Sequence, residues 1–263
     1  MEIKNIIRPK SLDEAYRSML DQGAYPIAGG TWIRLGSRVI ETALDLSTLD
    51  LRYIRTEKGK IELGAMTTLR DVELSAVLEK SYGSLFKTVV GPIVGVPMRN
   101  LITVGGTVGG RYGFSDLNTL LLALNARVVL YKTGEMDFAS YLEHKSSSPL
   151  LIEKILIDER GVRGAFTSIR KTKTDLAILN AAAAFTGTEW RLVLGARPGM
   201  AKLAKNAGAL LGSTAQPSDG DIQRAADAAA QELDFGADIR GDEAYRSAVA
   251  PVLIRRAILE VRS

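Results

Sequence analysis

The stretch Arg99-Asn100-Leu101-Ile102-Thr103-Val104-Gly105-Gly106-Thr107 decides how this chain is built. Its core, Thr103 to Thr107, repeats the pattern of an earlier segment, Ile27-Ala28-Gly29-Gly30-Thr31-Trp32. Each reads as a short strand running into two glycines. Paired glycines let the backbone approach a ligand with no Cβ in the way. Successive N–H groups can then converge on an anion. Thr31 and Thr107 each add a hydroxyl donor. Two such loops, face to face, match the two phosphates of a pyrophosphate. Neither loop is a GxGxxG or a Walker A motif, and no GK[ST] follows the glycines. A glycine pair after a strand also serves as a plain turn, so the loops by themselves leave a nucleotide site open.

The surrounding pattern is mixed. Ser11-Leu12-Asp13-Glu14 reads as a capping box opening a helix from Leu12 to Leu20, with Gly23 as its stop. Tyr25 to Ala28 and Ala43 to Leu46 read as strands. Leu51 to Arg55 and Ile61 to Gly64 form a hairpin around Lys58-Gly59. Thr68 to Leu78 reads as one capped helix, and Ser84 to Val90 as another. Ser115 caps a helix from Asp116 to Leu124. Strands are predicted over Ala126–Tyr131, Leu150–Ile157, Ala165–Arg170, Leu176–Phe185 and Trp190–Leu194. Helices follow near Ala201–Leu211, Asp221–Leu233 and Asp242–Val261. The order lacks a regular βαβ rhythm, which favours an α+β fold.

Composition narrows the chemistry. The chain has 263 residues, 46% of them hydrophobic and 24% charged. No apolar run approaches the ~20 residues of a membrane span, and the start lacks a signal-peptide layout; a cytoplasmic protein is expected. There is no cysteine and one histidine, His144. Thiolate-held iron–sulfur clusters and Cys-rich zinc sites are excluded. The net charge of +4 is spread along the chain, not gathered into the basic stripe that nucleic-acid binding requires. Redox chemistry here must ride on an organic cofactor or on a partner chain.

With these residues in place, Arg99 to Thr107 resembles the RN-x-x-T-x-GG-N signature of the FAD-binding medium subunits of molybdenum hydroxylases, the xanthine dehydrogenase and carbon monoxide dehydrogenase family. Ser115-Asp116-Leu117 and Leu124-Asn125-Ala126-Arg127-Val128 resemble its continuation, and Ala28 to Thr31 its first loop. Asp238-Ile239-Arg240-Gly241-Asp242-Glu243-Ala244-Tyr245-Arg246 is similar to its closing motif. The motifs occur in the family's order over nearly the whole chain. The resemblance implies two FAD-binding subdomains, residues 1–56 and 57–160, and a smaller C-terminal sheet-and-helix domain, residues 161–263.

It further implies that Ile27, Ala28, Gly29, Gly30, Thr31, Trp32, Ile33 and Arg34 form the first pyrophosphate loop. Thr103, Val104, Gly105, Gly106 and Thr107 would form the second. Asp116 would anchor the nucleotide, Ile93 and Ile152 would make apolar contacts with it, and Thr167 would stand where relatives place a lysine near the flavin. Thr107 replaces the family's asparagine. The implied role is to take electrons from an iron–sulfur subunit, beside a molybdenum-cofactor subunit, and pass them through FAD to NAD or another soluble acceptor. A stand-alone flavoprotein oxidase or reductase, and a non-catalytic nucleotide-binding assembly module, are the alternatives.

Overall fold

The structure is a computed structural model describing all 263 residues. Three sheets follow one another along the chain. The first contains β1 (Glu2–Ile7), β2 (Tyr25–Ile27) and β3 (Val39–Asp45) in the order β1-β3-β2, with both pairings parallel. The Leu12–Gln22 helix joins β1 to β2. Ser11 Oγ accepts from Glu14 N at 3.1 Å, and Gly23 closes the helix in the left-handed region at φ 61°. Glu14 does reach back, but to the amide of Lys10 rather than that of Ser11. β1 carries no clear alternation and is mostly exposed, so its pattern gives no strand signal.

The second sheet takes β4 (Ile54–Glu57), β5 (Lys60–Gly64), β6 (Arg127–Leu130), β7 (Gly134–Asp137) and β8 (Ile152–Asp158) in the antiparallel order β4-β5-β8-β6-β7. The hairpin around Lys58-Gly59 belongs to it whole, so this sheet begins at Ile54, ahead of residue 57. The third sheet, β9 (Arg163–Ile169), β10 (Leu179–Phe185), β11 (Trp190–Gly195) and β12 (Lys202–Leu203), runs β12-β11-β10-β9 and is antiparallel.

Helices decide how the sheets meet. Residues 68–78 do not form one helix: Ser75 caps a second one, Ala76–Tyr82, after the Leu69–Glu73 helix ends. Most of Ala201–Leu211 is likewise not helical; only Lys205–Ala209 is. The Asp116–Ala123 helix is buried along its entire length. One core packs it with the second sheet and with Phe166, Ala182, Ala184 and Val193 of the third. The opposite face of the third sheet is covered by the Asp219–Glu232 and Glu243–Arg262 helices. Alternation along the strands of the third sheet thus serves two cores at once.

The closing motif is a knot of hydrogen bonds. Arg246 is fully buried. Its Nε donates to Ile178 O at 2.8 Å, Nη1 to the carbonyls of Gly236 and Gly241, and Nη2 to Asp238 Oδ1 at 2.6 Å. Arg240 returns to the same carboxylate. Every nitrogen of the Arg246 guanidinium thereby finds a partner, as burial demands, whereas the buried Nε of Arg240 is left without one.

Candidate functional site: a glycine-floored cleft

A cleft of about 770 Å³ opens between the first two sheets, within the size range of small-molecule sites. Its wall on one side is the first glycine loop. β2 ends at Ile27, the chain bends through Gly29 and Gly30, and a 3-10 turn follows at Ile33–Leu35. None of the backbone N–H groups of Ala28, Gly29, Gly30, Thr31 and Trp32 donates a hydrogen bond within the protein, whereas Arg34 N returns to Gly30 O. A run of unspent donors in a bent backbone is what an anion needs. Gly29 is fixed sterically: a Cβ there would lie 2.2 Å from Leu101 O. The first loop is therefore seated directly on the Arg99–Thr107 stretch.

That stretch is not a second strand and loop. Thr103 caps a helix, Val104–Gly110, with its Oγ1 accepting from Gly106 N at 3.0 Å. The amides of Val104 and Gly105 donate to Thr67 O and Ala65 O. The expectation of matching anion loops is corrected here: the donors of the second segment are spent inside the protein. Glycine's poor helix propensity hides this helix, which the cap and the buried Val104 and Val108 hold in place. Its glycines act by what they lack. Gly105 packs on Ala65, where a Cβ would meet its carbonyl at 2.8 Å, Gly106 and Gly109 leave a helix face without side chains along the cleft, and Gly110 is covered by the Tyr112 ring, which a Cβ would meet at 2.2 Å.

Ile93 and Ile152 line the cleft, as do Ile27, Thr31, Trp32, Ile33, Thr103 and Thr107. Val104 is turned into the core at 0% exposure. Arg34 points outward to solvent. Neither Val104 nor Arg34 is among the lining residues. Thr167 is not brought to the cleft. Its Oγ1 donates to Leu253 O of the last helix at 3.0 Å, because neighbours on a strand face opposite ways and Phe166 takes the cleft-side core. Asp116 reaches the cleft wall, but its carboxylate is engaged: Arg170 Nη2 donates to Oδ2 at 2.7 Å and Asn180 Nδ2 to Oδ1 at 2.7 Å. Burial pushes the Asp116 carboxyl up from its ordinary range, opposed by the Arg170 charge and by both hydrogen bonds.

The motif arginine has a structural task. Arg99 is buried, forks onto Glu73 at 2.7 and 3.1 Å, and donates to Ile93 O at 3.1 Å. It thus ties the turn bearing Ile93 to the Leu69–Glu73 helix. The sequence pattern gave no hint of a three-ring bridge across the cleft. Trp32 of the first loop stands 4.5 Å from Phe114 and 5.5 Å from Tyr112, ring centre to ring centre, and the latter two are stacked at 5.2 Å. His144, which ends the Phe138–Glu143 helix, also lines the cleft. No group of three or more His, Cys, Asp or Glu side chains is placed to hold a metal ion, and no helix is long and apolar enough to cross a membrane.

Comparison with known proteins agrees with this architecture. Residues 1–158 match the family described as the FAD binding domain in molybdopterin dehydrogenase. Residues 164–261 match the CO dehydrogenase flavoprotein C-terminal domain. The chain is 25% identical to the carbon monoxide dehydrogenase medium chain of Hydrogenophaga pseudoflava, over 95% of this chain and 94% of that one. It is 32% identical to the glyceraldehyde dehydrogenase medium chain of Sulfolobus acidocaldarius, over 47% of this chain and 46% of that one. A solved structure of reconstituted CO dehydrogenase from Oligotropha carboxidovorans superposes with a TM-score of 0.88 at 24% identity, over 100% of this chain and 98% of that one. The chain belongs to the FAD-binding flavoprotein family of the molybdopterin dehydrogenases, and its cofactor is FAD.

Proposed function

We propose that this chain is the electron-transfer subunit of a molybdenum hydroxylase-type complex. It would receive electrons from iron–sulfur clusters on one partner, while a second partner carries the molybdenum cofactor and oxidises the substrate. A soluble acceptor such as NAD would take the electrons onward. The single observation that carries the reading is the first glycine loop: five consecutive residues whose amide donors are unspent line a cleft large enough for a dinucleotide. FAD supplies the step between one-electron and two-electron carriers when bound.

The chain's own residues bind and orient. Ala28 to Trp32 would hold the pyrophosphate, the glycine face at Gly106 and Gly109 would admit it closely, and Ile93 and Ile152 would cover apolar ring surface. Each Asp116 oxygen retains a second lone pair beside its bond to Arg170 or Asn180, enough to accept one sugar hydroxyl. The absence of cysteine supports a division of labour between chains. The carbon monoxide dehydrogenase and glyceraldehyde dehydrogenase relatives are named as medium chains, which supports the subunit reading.

The purified chain should take up FAD stoichiometrically and show a flavin absorption spectrum. Co-purification from its source should recover a cluster-bearing chain, and that chain, once reduced, should bleach the flavin. A colourless protein indifferent to added FAD would sink the reading. Turnover of a small substrate by the isolated chain would favour a stand-alone oxidase instead.

A further inference from the structure

Arg111 is the only lysine or arginine that lines the cleft. It takes part in none of the protein's ion pairs. The guanidinium is nevertheless held in place: it lies 4.3 Å from the Tyr141 ring centre, and Nη1 donates to His144 O at 2.6 Å. The only carboxylate in the lining, Asp116, is already neutralised by Arg170. The cleft therefore presents one positive charge with no acidic partner.

The backbone at Arg111 is also unusual. It caps the Val104–Gly110 helix in the left-handed region, at φ 46° and ψ 35°. Glycine or asparagine takes that position at lower cost. A long charged side chain placed there sacrifices backbone ease to put its charge in the cleft. Gly106 and Gly109 leave the cleft side of this helix without side chains on the approach to Arg111.

We propose that Arg111 supplies the counter-charge for the diphosphate of the bound dinucleotide. This rests on the reading of the cleft as the FAD site. The amides of the first loop offer dipoles but no net charge, and the cleft walls are largely apolar. A phosphate taken from water into such a site needs a cation as well as donors. A guanidinium suits it through its planar fork of donors, and resting on Tyr141 keeps that fork in place at little entropic cost.

The test uses the full-length chain in three variants: Arg111→Met, Arg111→Lys and Arg111→Gly. Binding of FAD, and of riboflavin as a probe without phosphate, is measured by fluorescence titration at low and high ionic strength. Arg111→Met is expected to weaken FAD binding by about tenfold or more, the scale of one lost charge-assisted contact. It should leave riboflavin binding unchanged and flatten the salt dependence, and Arg111→Lys should recover part of the loss. Arg111→Gly relieves the left-handed strain, so it should melt no lower than the wild type and still bind FAD weakly. That combination separates a ligand role from a structural one.

Unchanged FAD affinity and salt dependence in Arg111→Met and Arg111→Gly would overturn the assignment while leaving the cleft reading intact. Equal losses for FAD and riboflavin would overturn it too, because the effect would not depend on phosphate. A wild-type chain that binds no FAD overturns both.

Discussion

Arg170 Nη2 lies 2.7 Å from Asp116 Oδ2, and this ion pair, 9% and 4% exposed at its two side chains, bolts the third sheet to the cleft wall. Asn180 completes it from β10, donating to the other oxygen and accepting from Thr119 Oγ1 at 2.9 Å. Replacing Asp116 with Ala strands a buried cation, so about 3–5 kcal/mol of stability should be lost. The Asp116→Ala, Arg170→Met double variant should lose less than the two single changes combined. Urea unfolding of the four proteins measures this. Additive losses would mean the pair is not coupled.

Arg246 predicts both a stability and a pH response. Its guanidinium serves three carbonyls and Asp238, so Arg246→Met should cost about 3–5 kcal/mol and loosen the last helix from β10. Asp238 is half-hidden, which by itself would raise its carboxyl pKa. Donors from Arg246 and the Arg240 amide, with both arginine charges, outweigh this and hold it below the ordinary 3.8. Glu62 and Glu73 are held below 4.5 in the same way, by Lys154 and Arg55 and by Arg99 and Arg70 respectively, against their own burial. A carboxylate depressed in the folded state stabilises fully above its unfolded pKa and loses that contribution as pH falls through the folded one. Stability should thus be flat with respect to these groups from pH 7 to about 5 and decline below about 4.5. Arg246→Met should lessen the share due to Asp238. Thermal melts across this range test the slope.

Some of this was legible in the sequence and some was not, for identifiable reasons. The first glycine loop, the Ser115 cap and the strands of the third sheet follow from local signals: a strand running into Gly29-Gly30, a serine before Asp116, and alternation in β9 to β11. The Val104–Gly110 helix did not, because all seven of its residues are glycine or β-branched, which are poor helix formers. Thr167 sat beside Phe166 in the motif, but a motif does not reveal which face of a strand it occupies. Arg111 and the Trp32–Phe114–Tyr112 bridge join positions about eighty residues apart, and only the fold brings them to one cleft.

Thr167 gives a further prediction. Since its hydroxyl serves Leu253 O and not the cleft, Thr167→Val should cost roughly 1 kcal/mol of stability, the usual worth of one hydrogen bond. FAD affinity and the flavin midpoint potential should stay at their wild-type values. A displaced potential would place Thr167 within reach of the ring after all.

Trp32 offers a direct optical readout. It is 42% exposed and spans the cleft to Phe114 and Tyr112, whereas the only other tryptophan, Trp190, is buried and donates to Thr214 O. FAD entering between the loops should change the emission of Trp32 and leave that of Trp190 alone. Trp32→Phe should retain the bridge and abolish the signal. Trp32→Ala should remove about 1–2 kcal/mol of aromatic contact and weaken FAD binding by loosening the first loop. An emission change that survives in Trp32→Phe would locate the cofactor elsewhere.

The two glycines of the first loop should fail in different ways when replaced by alanine. At Gly29 the added methyl would strike Leu101 O at 2.2 Å, a backbone atom that cannot turn aside. The loop must lift off the Arg99–Thr107 stretch, so both stability and FAD affinity should fall, stability by several kcal/mol, on the order of a badly overpacked site. At Gly30 the methyl meets nothing closer than Ile33 Cγ1 at 3.9 Å, but φ is +60°. There the cost is backbone strain alone, about 1–2 kcal/mol, and the donors of Ala28 to Trp32 keep their arrangement. Gly30→Ala should accordingly bind FAD within a few-fold of the wild type while Gly29→Ala does not. The ratio of the two affinities, taken with their melting temperatures, therefore measures how far cofactor binding depends on the seating of the first loop against Leu101. Equal affinities in the two variants would show that this contact holds the fold and has no part in holding the nucleotide.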